Sequence, residues 1–328
     1  MIFWRWAGVF LATSGLNLFA SEIVWPTSLD RTTIHSPLDY LQATASGRPE
    51  SGGFGMVRED GHRFHEGVDI RATARDKNGE PTDLIYSALD GQVAYLNKQA
   101  NGGYGKYIVL FHPQAELPVY TLYAHLASID PSLKVGDSIN RSKVIGVMGH
   151  TSIGTEAIPR ERAHLHFEIG VRLSDNFNTW YATEPEYRGV PNPHGLWHGQ
   201  NLAGFNPQIV LTSSRINLLS ALQNEPTALA VTIRTDHAPD FVKRHPSLVS
   251  GDAKKAAGWY VEFTWEGVPK KWLALPPQSL QLPQGRWSYV GLNYQLKDVL
   301  VQHKMITPDT KKAGETLIRQ VSILLAGI

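Results

Sequence analysis

Two histidines separated by one leucine constrain this chain more than any other feature. The segment Ala163-His164-Leu165-His166-Phe167-Glu168-Ile169 alternates polar and apolar residues. A period of two belongs to a β-strand with one covered face. In such a strand His164, His166 and Glu168 share a face, while Leu165, Phe167 and Ile169 pack on the other. Far upstream stands His65-Glu66-Gly67-Val68-Asp69. A spacing of four can place two groups on one helix face, but Gly67 and the strand-like Val68-Asp69-Ile70 argue against a helix. A turn at Gly67 can instead bring His65 and Asp69 to one ion. Together the two segments offer two imidazoles and a carboxylate, with a further imidazole beside them. That donor set suits a catalytic zinc ion with one open coordination position, where water becomes a nucleophile at neutral pH. Taken singly, each motif has a plainer meaning: histidines on an exposed strand face, or an unrelated pair.

Composition narrows the alternatives. The chain has 328 residues, a 42% hydrophobic content and a net charge of only +1. It is long enough for one large domain or two ordinary ones with a real core. The charge balance and the lack of a basic run with interleaved aromatics exclude bulk binding to nucleic acid. No cysteine is present. Disulfides, thiolate metal sites and cysteine nucleophiles are therefore ruled out, and any metal must sit on His, Asp or Glu. Residues 1–20 read as a secretory signal, with Arg5 before a mostly apolar stretch too short to span a bilayer and cleavage expected after Ala20. An uncleaved anchor is the competing reading. Export to the periplasm or the outside follows from the signal, with no stable membrane insertion after cleavage.

The organisation is mainly β. Residues 21–52 form an approach segment with a loop around Ala45–Gly53, in which Tyr40-Leu41 is expected to pack on the domain and His35 to be an ordinary polar residue. From 53 to 207 the pattern is short strands and turns, an antiparallel β domain. Leu84–Ala88 and Gln92–Leu96 flank Asp90-Gly91, which predicts a hairpin. Tyr107–Phe111 is a continuous apolar run, which predicts a strand covered on both faces. An addition at about 171–203 carries Trp180, Tyr181, Tyr187 and Trp197, suited to lining a groove or to covering a sheet edge. His194 and His198 lie there as weak ligand candidates, since Pro193 and Gly195 oppose a helix. Residues 208–328 make a smaller α+β region of unknown role. Its tail, Thr307 to Ile328, predicts a helix capped by Thr307, with Ala313, Leu317, Val321, Leu324 and Leu325 on one stripe.

The landmarks from Ser51 to Gly170 occur in one order. They run Gly53-Phe54-Gly55, Arg63–Ile70, Ala88–Val93, Gly103-Tyr104-Gly105, Leu122-Tyr123-Ala124-His125-Leu126, Val135-Gly136-Asp137, Val144-Ile145-Gly146 and His164–Glu168. This order resembles the lysostaphin-type (LytM-like) zinc endopeptidases of bacterial cell walls. The resemblance implies an antiparallel β peptidase domain at 53–207, one zinc ion on His65, Asp69 and His166, and a catalytic pair, His125 and His164. It implies hydrolysis of the peptide stems or cross-links of peptidoglycan by a zinc-activated water. Glu168 can orient a ligand imidazole, or it can face solvent or core. Thr155–Ala163 departs from the family as a longer loop, in which Glu156 and Glu161 read as solvated charges rather than ligands. The rival reading is a non-enzymatic relative that binds wall or activates amidases. Either flanking region can also cover the groove within the molecule and keep it latent.

Overall fold

The computed structural model describes residues 21–153, 157–213 and 215–328. The signal-like stretch 1–20 and Glu156 lie outside the described residues. The site-bearing sheet is antiparallel. Its strands run in the order Ser138–Ile139, Gly91–Asn97, Tyr107–His112, Val119–Ala124, His164–Arg172, Leu202–Gly204, and Val68–Arg71 also pairs with His164–Arg172. Strand His164–Arg172 is thus shared along one edge. Its first half meets Val68–Arg71 and its second half meets Leu202–Gly204. Its other edge is filled by Val119–Ala124. Leu84–Tyr86, Val144–Val147 and Ser128–Ile129 form a separate three-stranded sheet. The mainly β, antiparallel architecture is the one expected from the strand-and-turn pattern.

The apolar alternation does its expected packing. Leu165, Phe167 and Ile169 are fully buried, and Tyr40 and Leu41 of the approach segment join the same core as Val68 and Ile70. Strand Tyr107–His112 is covered on both faces: Ile108 and Leu110 enter the main core, while Tyr107 and Val109 enter a second cluster beneath Trp197. In the addition after 171, Trp180, Tyr181 and Trp197 are buried as a cover, while His194, His198 and Gln200 line a cavity of about 570 Å³. Trp180 donates to Ser322 at 2.8 Å and Tyr181 stacks on Tyr187 at 4.4 Å.

Two local expectations are corrected. Asp90-Gly91 is not a hairpin turn, because Leu84–Tyr86 pairs with Val144–Val147 and Gly91–Asn97 pairs with Tyr107–His112. The chain changes sheets there, and Arg141 holds Asp90 by a backbone N–H at 2.8 Å. The C-terminal helix covers Glu315–Leu324 only. Thr307 accepts and donates around a closed loop to Asp309 and Lys312 instead of capping a helix. Leu317, Val321 and Leu324 are buried as the stripe predicts.

The C-terminal region is built on a five-stranded sheet in the order Val249–Ser250, Pro269–Leu275, Gly258–Phe263, Leu229–Arg234, Trp287–Leu292. Its buried side chains are continuous with those of the first region. The contact reaches the site. His303 stacks on Phe64 at 4.0 Å between ring centres and Trp265 lies 5.9 Å from the same ring. Phe64 precedes His65. Among the described residues no helix is long and apolar enough to cross a membrane.

Candidate active site

Strand register assembles the site. Asp69 and Ala124 stand directly opposite His166 on its two neighbouring strands, and Arg71 stands opposite His164. Opposed residues in antiparallel strands project from the same face, so Asp69 faces His166. His125 follows Ala124 immediately and turns out of the strand with φ +60°. His65 ends the hairpin Gly55–Arg58/Arg63–His65. The turn from His65 to Asp69 needs Gly67, because a Cβ there would lie 2.4 Å from the Phe167 carbonyl oxygen.

Three donor atoms converge. His65 Nε2 lies 3.0 Å from His166 Nδ1, and Asp69 Oδ1 is 3.2 Å from each. Ligands held at about 2.0–2.2 Å by one tetrahedral ion are separated by about 3.3–3.6 Å. The triangle is a slightly contracted face of such a site, and among the described residues it is the one group of three close donors. The residues present therefore fit a metal ion held by three protein ligands. Each imidazole has its other nitrogen fixed. His65 Nδ1 donates to the Gly53 carbonyl at 2.5 Å, and His166 Nε2 donates to Glu168 Oε1 at 2.9 Å. Such outer partners set the tautomer of a ligating histidine.

Glu168 is fully buried. Tyr104 donates to its Oε1 at 2.5 Å and Tyr120 to its Oε2 at 2.9 Å. Burial, then the Glu168 charge, pushes both phenols well above their usual range, so they remain donors. Burial alone would lower His166, but its hydrogen bonds to Asp69 and Glu168 outweigh it and raise the imidazole to about 9. His65 goes the other way, lowered to about 4 chiefly by burial.

His125 and His164 sit beside the triangle, their rings 4.8 Å apart. His125 Nδ1 donates to the Thr151 carbonyl at 2.9 Å and His164 Nδ1 to the Arg162 carbonyl at 2.7 Å. Each leaves Nε2 as the free nitrogen. His164 Nε2 lies 3.5 Å from Asp69 Oδ2. Burial, followed by repulsion from neighbouring imidazoles, holds His125 well below its ordinary value, and burial also lowers His164. Both are neutral near pH 7 and carry an available lone pair.

The five histidine and aspartate positions all line one open cleft of about 620 Å³. Ala43 to Ser46 of the approach segment and Ala157 and Ile158 of the long loop line it too. The sequence reading missed Arg58, whose Nη2 lies 2.5 Å from Asp69 Oδ2 and 2.8 Å from His65 Nε2. It also missed Tyr104 and Tyr120 as partners of Glu168, and the Thr151 carbonyl that orients His125. Arg58 ends the strand after Phe54-Gly55, so its proximity to that landmark was the available signal. His194 stays apart from the donor triangle and hydrogen-bonds the Tyr107 hydroxyl at 2.8 Å. Its ring centre lies 6.0 Å from that of His198. Glu161 is exposed.

Residues 63–179 match the model of peptidase family M23. That stretch contains His65, Asp69, His125, His164 and His166. No curated protein matches the chain. Among solved structures it is similar to the catalytic domain of the antimicrobial peptidase lysostaphin from Staphylococcus simulans, at 19% identity over 55% of this chain and 100% of that one, with a TM-score of 0.29. It is also similar to a zinc-containing peptidase from Vibrio cholerae, at 26% identity over 46% of this chain and 37% of that one, with a TM-score of 0.30.

Proposed function

We propose that the chain is a zinc-dependent endopeptidase that hydrolyses peptide stems or cross-links of peptidoglycan. The observation that carries this reading is the convergence of His65 Nε2, Asp69 Oδ1 and His166 Nδ1 at 3.0–3.2 Å in a segment that matches the model of peptidase family M23. His65, Asp69 and His166 would hold one zinc ion, which supplies Lewis acidity toward a water and a peptide carbonyl.

The remaining roles belong to the chain's own groups. His125 and His164, neutral and with Nε2 free, accept the proton of the attacking water and return it to the leaving amine. The imidazolium so formed donates to the oxyanion that develops on the carbonyl. Glu168, braced by Tyr104 and Tyr120, keeps His166 in the tautomer with Nδ1 toward the donor triangle. The substrate is the peptide portion of exported wall polymer, which agrees with a secreted enzyme acting in the periplasm or outside the cell. Residues 43–46 narrow the cleft, and this supports a degree of intramolecular cover by the approach segment.

The test is digestion of defined muropeptides by the zinc-loaded protein, with products identified by mass spectrometry. Cleavage of a peptide bond that stops on chelation and returns with zinc is expected. Wall binding without any cleavage by the zinc-loaded protein would favour a non-enzymatic role instead.

A further inference from the structure

We propose that Trp265 and His303 of the C-terminal region are positioning residues for His65, clamping the hairpin that presents this imidazole to the metal site. This rests on the reading of His65 as a metal ligand and gives the region beyond residue 208 a role in the site. The three donors are not carried alike. Asp69 and His166 stand opposite each other in the seven-stranded sheet, on Val68–Arg71 and His164–Arg172. His65 lies outside that sheet. It ends Arg63–His65, which pairs with Gly55–Arg58 in a separate two-stranded sheet. A two-stranded hairpin is marginal in water unless other elements pack on it. The stretch Gly53-Phe54-Gly55 holds His65 twice: Gly55 stands opposite it in the pairing, and the Gly53 carbonyl accepts from its Nδ1 at 2.5 Å.

The C-terminal region packs on this hairpin through two rings. Trp265 sits in the turn that joins strands Gly258–Phe263 and Pro269–Leu275. Its ring meets Phe54 and Phe64 edge-on, at 6.1 Å and 5.9 Å between centres. It also closes over Gly55, where φ is +95° and a Cβ would lie 2.7 Å from Trp265 Cη2. His303 follows the helix Lys297–Gln302. Its Nδ1 donates to the Trp265 carbonyl at 3.1 Å, and its ring stacks on Phe64 at 4.0 Å with the planes 5° apart. Edge-on and stacked rings hold preferred orientations. Phe64 immediately precedes His65, and Phe54 lies between the two residues that hold it. A metal site tolerates ligand displacements of only about 0.5 Å. Strand register sets Asp69 and His166 to that precision, whereas His65 depends on a hairpin packed by a second region. The C-terminal region therefore completes the donor triangle without contributing a ligand.

The test measures zinc affinity of the full chain by competition with a chelator, and amide hydrogen exchange of residues 55–65 in the zinc-free protein by mass spectrometry. The variants are Trp265→Ala, Trp265→Phe and His303→Ala. Val261→Ala, buried in the same sheet as a partner of Val231 and Trp272, controls for a loosened C-terminal core. Trp265→Ala and His303→Ala are each expected to weaken zinc binding by about tenfold and to speed exchange in the hairpin. Trp265→Phe keeps an aromatic ring against Phe64 and should recover most of the affinity. Val261→Ala should leave both readings near wild type once circular dichroism has confirmed its fold. If Trp265→Ala does not fold, the half-buried His303→Ala decides. Unchanged zinc affinity and exchange in the folded alanine variants, or an equal loss in Val261→Ala, overturn the proposal and leave the hydrolase reading standing. Both losses, in a protein whose wild type binds zinc but cleaves no muropeptide, uphold the clamp and sink the hydrolase reading.

Discussion

His166 donates through Nε2 to Glu168 Oε1 at 2.9 Å, although the two residues are neighbours on the same face of one strand. The contact turns the other ring nitrogen toward Asp69 and His65. Outer partners of this kind are worth about 10–100-fold in metal affinity. Glu168→Gln, which keeps the shape but loses the charge, should weaken zinc binding by a factor in that range. Competition against a chelator of known affinity would measure it, and an unchanged affinity would show that the tyrosine-braced carboxylate is only a core residue.

His166 and His125 should separate metal from turnover. His166→Ala removes one vertex of the 3.0–3.2 Å triangle and is expected to lose both zinc and activity. His125 donates to the Thr151 carbonyl and takes no part in the triangle. His125→Ala should keep one zinc per chain by metal analysis and lose at least about a hundredfold in kcat, the usual scale of acid–base catalysis. Full turnover by His125→Ala would end the assignment of His125 as a proton carrier.

Gly67 is fixed by close approach rather than by an unusual φ. A methyl group there would meet the Phe167 carbonyl oxygen at 2.4 Å and the His166 ring at 3.0 Å. Gly67→Ala should cost about 1–3 kcal/mol, the usual range for an overpacked site. It should also weaken zinc binding, since the same contact sets the spacing of His65 and Asp69. Urea unfolding with and without zinc reads both effects.

His112 should make the fold sensitive to acid. Burial lowers it to about 4, while its Nδ1 donates to the Asp90 carbonyl at 2.9 Å and its Nε2 bonds the Thr121 hydroxyl at 2.8 Å. The unfolded chain takes up a proton near pH 6.5 that the folded chain refuses until about 4. Stability is therefore fully present above pH 6.5 and falls as the pH drops toward 4, by roughly 3 kcal/mol from this residue. Denaturant curves at a series of pH values for wild type and His112→Gln would isolate the contribution. Identical slopes against pH for the two proteins would remove His112 from the account.

Much of the site is legible in the sequence. The alternation around His164-Leu165-His166 placed two imidazoles and Glu168 on one face because a strand has a period of two, and the strand is observed at His164–Arg172. The apolar run Tyr107–Phe111 announced a strand covered twice, and Trp197 supplies the second cover. The hairpin at Asp90-Gly91 and the long final helix were misread for a common reason. Turn and cap residues state what the chain can do locally, and pairing with Val144–Val147 or closure on Lys312 overrode them.

The chain alone thus determined which residue types could meet a metal ion and which faces of their strands would carry them, since side-chain direction follows from backbone periodicity. Only the tertiary structure decided that Asp69 lies opposite His166, that Tyr104 and Tyr120 brace Glu168, and that Arg58 shares the Asp69 carboxylate. Those relations depend on strand register and on segments that meet only after folding. Local propensity carries no record of them.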